Sequence, residues 1–327
     1  MVFSALLAGL IMLPLLASGL TAQDDDEKEI PKPRRVQIKT ADGLQLNAAY
    51  FAAIKAKDAM PVIMLHDWQS QGGTLYSLAL RIQKEGHAVL VPDLRGHGMS
   101  TTITIRKPNG LTDTQELNPD KFTKAHIIAM ARDVEACKRF LMQRHNEGEL
   151  NIEKLTVVGA GLGGMLAMNW AVGDWNVQST PFLKQGQDVK SLILLSPLGS
   201  FKGVTNQVAM THPVIAGQLN TLILVGNGSS KELSDAKRLY NRMERRHGEK
   251  PTDQAELAAH KLFIIEFETE QQGTALLNSN LAPDPKNLIW SFLRGKIVGR
   301  DVFTVGGSDM SLEWKQRGNA FDPDNDK

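Results

Sequence analysis

The chain has 327 residues, enough for one large α/β domain, with 42% hydrophobic and 22% charged residues, the usual balance of a soluble globular protein. Its formal net charge is +1, and no run of basic residues exceeds Arg34-Arg35 or Arg245-Arg246, which argues against a nucleic-acid-binding face. The single cysteine, Cys137, rules out an intrachain disulfide and sits in a helical pattern as a packing residue.

In chain order, residues 5–20 form an almost unbroken apolar run, followed by small residues and then Gln23-Asp24-Asp25-Asp26. That outline predicts a secretory signal peptide over residues 1–22, cleaved near Gly19 or Ala22, and a secreted or periplasmic protein. No Lys or Arg precedes the run, and the alternative is an uncleaved membrane anchor formed by residues 4–22. Residues 23–34, charged and proline-bearing, read as a linker.

Residues 36–39 and 44–51 alternate around Ala41-Asp42-Gly43, a hairpin signal. Residues 60–65 are nearly all apolar, as expected for a strand buried on both faces. Helical patterns at 74–85, 121–144, 163–172, 231–246 and 285–293 then alternate with apolar strand runs at 88–91, 155–158, 192–195, 221–225 and 262–265. Such alternation predicts a mainly parallel sheet with helices on both faces, spanning residues 35–298 as one domain. Residues 199–219 are short and weakly periodic, predicting a short lid and a shallow, open pocket. Residues 299–327 read as a polar tail, disordered at its end.

Ligands on such sheets bind beyond the carboxyl ends of the strands. Three of those ends carry His66-Asp67-Trp68, then Asp93-Leu94-Arg95-Gly96-His97-Gly98-Met99-Ser100, then Gly159-Ala160-Gly161-Leu162-Gly163-Gly164. In this order and spacing the set resembles the α/β-hydrolase superfamily, and within it the monoacylglycerol-lipase and serine-aminopeptidase branch, over residues 36–297. The resemblance implies a Gly-x-Ser-x-Gly elbow, where this chain reads Gly159-Ala160-Gly161-Leu162-Gly163. It places the acid at Ser229 and the histidine at Gln272. The oxyanion loop falls at His66, Asp67 and Trp68, with Leu162 following the elbow. Glycine has no nucleophilic oxygen, serine cannot stabilise an imidazolium as a carboxylate does, and an amide takes no proton near neutrality. A carboxylate at Asp67 also opposes a developing oxyanion.

These departures predict a non-catalytic protein, without metal or cofactor, that binds a small ligand or a protein partner. The alternative is an ester or amide hydrolase with a rearranged site, its nucleophile Ser196 or Ser229. Gly159, Gly161 and Gly164 also satisfy a dinucleotide fingerprint, but no acidic residue ends the next strand. His66, Asp67, Asp93 and His97 offer metal-ligand types. The resemblance assigns His66, Asp93 and His97 to loop-tying hydrogen bonds instead. Trp68, Trp170, Trp175 and Trp290 read as core or pocket-wall residues.

Overall fold

The computed structural model describes residues 29–107, 109–178, 184–278 and 280–318. The expected signal or anchor, linker residues 23–28 and residues 319–327 of the tail lie outside the described residues.

Strands β1 (Arg34–Lys39) and β2 (Gln45–Phe51) pair antiparallel, Arg34 opposite Tyr50. Gly43 takes φ +90 in their turn, and a Cβ there would overlap the Thr104 carbonyl. Next come β3 (Pro61–Leu65), α1 (Tyr76–Lys84) and β4 (Ala88–Pro92). A hairpin, β5 (Thr102–Arg106) and β6 (Thr112–Glu116), follows in a stretch where no strand was expected. The helix expected at 121–144 is two helices, α2 (Lys124–Ala129) and α3 (Ala131–Asn146), with Thr123 and His126 forming a reciprocal cap on the first.

Then come β7 (Leu155–Ala160), α4 (Leu162–Asn176) and β8 (Val189–Leu195). The lid segment holds the two-residue strands β9 (Ser200–Phe201) and β10 (Val204–Thr205) and the one-turn helices α5 (Gln207–Thr211) and α6 (Pro213–Gly217). Weak periodicity concealed those helices because each is only five residues long. The chain continues through β11 (Asn220–Gly226), α7 (Ser230–His247), α8 (Gln254–Ala259), β12 (Leu262–Phe267) and α9 (Pro285–Lys296).

Eight strands form one sheet in the order β1-β2-β4-β3-β7-β8-β11-β12. The pairs β1–β2 and β2–β4 are antiparallel and all pairs from β4 onward are parallel. Alternate residues of each strand face opposite layers. Ile63, Leu65, Val157, Leu192 and Ile223 pack with residues of α3, α4 and α7. Val62, Met64, Val158, Ile193 and Leu222 pack with residues of α1 and α9. This double burial explains why β3, β7, β8 and β11 read as apolar runs rather than alternations.

The segment after residue 299 is more than a polar tail. It forms the hairpin β13 (Val302–Val305) and β14 (Ser308–Ser311) and then crosses the amino-terminal end of the sheet. Phe303 and Leu312 join the core, and the Trp314 indole donates to the His145 carbonyl oxygen (3.2 Å). Arg317 is buried, with its guanidinium on Glu153 and 2.9 Å from Asp188. Asp188 also pairs with Lys138 (2.8 Å), and against the upward push of burial these cations hold its carboxyl below the usual carboxylate range.

Candidate active site

The strand order runs from β3 to β4 in one direction and from β3 to β7 in the other, so the crevice lies where the loops after β3 and β7 diverge. The first loop carries Asp67 and the second carries Gly161.

Gly161 precedes α4 with φ 51 and ψ −114, a backbone conformation costly for any residue with a Cβ. Its carbonyl accepts from Leu198 N (3.2 Å) and its amide donates to Leu195 O (2.9 Å), which fixes the turn against β8. A Cβ on Gly163 would overlap the Leu65 carbonyl, and one on Gly159 would overlap the Gly163 backbone. These glycines therefore let α4 start close against β7 and the end of β3, the reading that outweighs a dinucleotide site.

Asp67 occupies the space above the elbow. Its Oδ1 accepts from Trp68 N (2.7 Å) and from Leu162 N (2.8 Å). A Cβ built on Gly161 would overlap the carboxyl carbon and both oxygens of Asp67. Burial raises the Asp67 pKa, the two amides pull it back, and Glu232 adds a smaller upward push. The resemblance expected this carboxylate to lie near an oxyanion position. In the structure Asp67 itself receives the two amide hydrogens.

Gln272 turns away from Gly161. Its Nε2 donates to Gly226 O (2.8 Å), while its Oε1 accepts from Gly226 N (3.3 Å) and from the Ser196 hydroxyl (2.6 Å). Gly273 N donates to Ser196 Oγ (3.0 Å). Gln272 thus ties the ends of β8, β11 and the loop after β12 together. It is Gly273 that faces the elbow, because a Cβ there would stand 3.6 Å from Asp67 Oδ2. No sequence signal separated these neighbours, since the choice depends on the local backbone, including φ +55 at Gly273. Ser229 precedes α7, and its hydroxyl donates to Glu232.

Ser196 is buried with φ +46, an uncommon conformation for a side-chain-bearing residue. Among the described residues no histidine hydrogen-bonds it. His66 is fully buried, and Leu94 N donates to its Nε2 (2.9 Å), so the proton lies on Nδ1 and is donated to Asp67 O (2.7 Å). Burial lowers its pKa to about 4. His97 Nε2 accepts from Gln69 N (3.1 Å) and its Nδ1 donates to Arg95 O (2.9 Å), the same tautomer. Asp93 accepts from Gly72 N (2.8 Å) and Met99 N (2.9 Å). These three residues tie the loops after β3 and β4 together, as the resemblance implied. Each histidine's lone pair is already engaged, and among the described residues no group of three or more His, Cys, Asp or Glu converges on a metal position.

The lid closes on this mouth. The Phe201 ring lies 4.9 Å from Trp68, and the Lys202 ammonium sits 4.7 Å over the same indole. Lys202 donates to the carbonyls of Pro119 (3.2 Å) and Phe122 (2.9 Å). Trp68 lines the mouth, whereas Trp170, Trp175 and Trp290 are buried in the core. Shallow depressions of about 640 Å³ along α7 and about 390 Å³ beside Pro31 and Ala53 lie away from the crevice.

Residues 62–317 match the sequence model of the alpha/beta hydrolase family. The chain belongs to that family. Esterases share its fold: one from Pyrococcus furiosus is 15% identical over 81% of this chain and 93% of its own, with a TM-score of 0.54. One from Pyrobaculum calidifontis is 12% identical over 82% and 85%, with a TM-score of 0.55. The alpha/beta hydrolase GrgF from Penicillium sp. is 13% identical over 82% and 99%, with a TM-score of 0.56. No curated protein sequence matches the chain.

Proposed function

We propose that this alpha/beta hydrolase is an exported, non-catalytic member of its family that binds a partner instead of turning over an ester or amide. The observation that carries the reading is Asp67, whose Oδ1 takes the amide hydrogens of Trp68 and Leu162 and whose carboxyl fills the space above Gly161. A hydrolase needs those donors free for charge that develops in the transition state, and needs a nucleophile where Gly161 has none. The filled crevice and the latched lid favour a protein partner over a small ligand. The Asp93–Ser100 segment is what supports the monoacylglycerol-lipase-like branch.

The alternative hydrolase reading rests on Ser196, buried at positive φ beside the crevice. Its hydroxyl hydrogen goes to an amide oxygen instead of a base, which weighs against it. The purified protein is expected to leave a fluorophosphonate probe unattached and short acyl esters intact. Labelling mapped to Ser196 or Ser229 would establish the hydrolase. Export rests on residues 5–20, and mass spectrometry of the exported protein is expected to find a new N-terminus between Leu20 and Asp24. An intact Met1 in the membrane fraction would instead assign residues 4–22 as an anchor.

A further inference from the structure

Helix α7 buries Ala236, Leu239 and Met243 and exposes the opposite face. Lys231, Arg238, Arg242 and Arg245 recur on that face at helical spacing, with Lys237 beside them, over about 21 Å of axis at 1.5 Å per residue. These residues are scattered in sequence, so a search for basic runs finds only the short pairs Lys237-Arg238 and Arg245-Arg246. The acids of α7 are engaged, Asp235 within the stripe and Glu232 and Glu244 to either side of it. Glu232 accepts from Ser229, Asp235 accepts from Gly199 N (3.2 Å), and Glu244 bonds Tyr240. Lys237 pairs with Glu266 (3.0 Å) and Arg238 lies 3.7 Å from Asp235. Arg242 and Arg245 form no ion pair among the described residues. Ser234 and Asn241 lie among Lys237, Arg238, Arg242 and Arg245 on this face.

A solvated helix commonly mixes both charges on its outer face, because pairs three or four residues apart stabilise it and like charges oppose it. Here Arg238, Arg242 and Arg245 repel at those spacings, in a chain whose net charge is only +1. We infer that this stripe is a docking surface for an extended acidic segment of a protein partner. Same-side residues of an extended peptide recur about every 6.7 Å, and Arg238 and Arg242 stand about 6 Å apart along the axis, so neighbouring carboxylates can meet this pair. The stripe is narrow, and exposed Glu266 pairs with Lys237 at its β12 side while exposed Glu270 lies against Gly228 just before the helix. A broad anionic surface, either a lipid bilayer or a nucleic acid, would bring those carboxylates against its own phosphates. A slender peptide avoids them. The inference does not depend on the state of the crevice.

A fluorescent deca-glutamate peptide, titrated into the full chain at low salt, is expected to bind and to lose affinity as salt rises, since exposed pairs are screened. The triple variant Arg238→Glu, Arg242→Glu, Arg245→Glu is expected to weaken binding by about tenfold or more, because each exposed ion pair contributes a few-fold. The milder pair Arg242→Gln, Arg245→Gln, at exposed positions, keeps the test valid if charge reversal disturbs folding. Absence of peptide binding at low salt, or equal binding by the variants, would overturn the inference. So would tighter binding to phosphatidylglycerol vesicles or to a single-stranded oligonucleotide. Esterase assays on the same samples report separately on the crevice.

Discussion

Asp67 and Gly161 are coupled through one volume. Gly161→Ser is expected to destabilise the domain by at least the 1–3 kcal/mol that a side chain at such a backbone conformation costs, about doubled by the overlap with the Asp67 carboxyl. Adding Asp67→Gly should recover the overlap part but not the backbone part, and a urea titration of the three variants separates them. Equal losses in the single and double variants would show that no shared volume exists. Ionisation offers a second readout. The Asp67 pKa is raised in the fold, so its neutral form is the favoured one, and its contribution is largest below the unfolded value near 3.9 and declines as pH rises through the folded value. Asp67→Asn, which keeps the acceptor for Trp68 and Leu162, should therefore gain stability relative to the parent as pH rises. The sequence exposed the unusual residue types at 161 and 67, because both stand in a recognisable motif. It did not expose their contact, which depends on the angle between the loops after β3 and β7.

At the scale of elements, the strands buried on both faces were legible because a parallel strand under two helical layers leaves only apolar residues in a short window. The pieces that escaped are short or polar: β5–β6, with a mostly exposed surface, and α5 and α6, one turn each. The carboxyl-terminal strap escaped for another reason. Its contacts are few and specific, Phe303 and Leu312 in the core and Arg317 between two buried acids, while its composition is polar. Arg317→Ala is expected to cost about 3–5 kcal/mol, the scale of a broken buried pair, because Glu153 and Asp188 lose a cation without regaining water. Chemical denaturation measures this, and a loss below about 1 kcal/mol, as for an exposed pair, would show that the strap contributes little.

Across the whole molecule, seven histidines (residues 66, 87, 97, 145, 212, 247 and 260) have lowered pKa values, with burial the leading cause in each. His66 falls to about 4 and His87 to about 3. Between these values and the unfolded value of about 6.5 the unfolded chain binds more protons, so stability rises with pH across that window. Asp133, its carboxyl pushed up to about 6, and Asp67, also raised, work the other way, but they are two groups against several. The urea midpoint is expected to climb from pH 4 to pH 6.5 (values near the pKa range above), and a flat profile would contradict the neutral tautomers assigned to His66 and His97. The crevice also constrains the order in which this chain can change. A side chain at 161 and the carboxylate at 67 compete for one space, so a mutational path toward a residue larger than glycine at 161 costs least when position 67 changes first or at the same time.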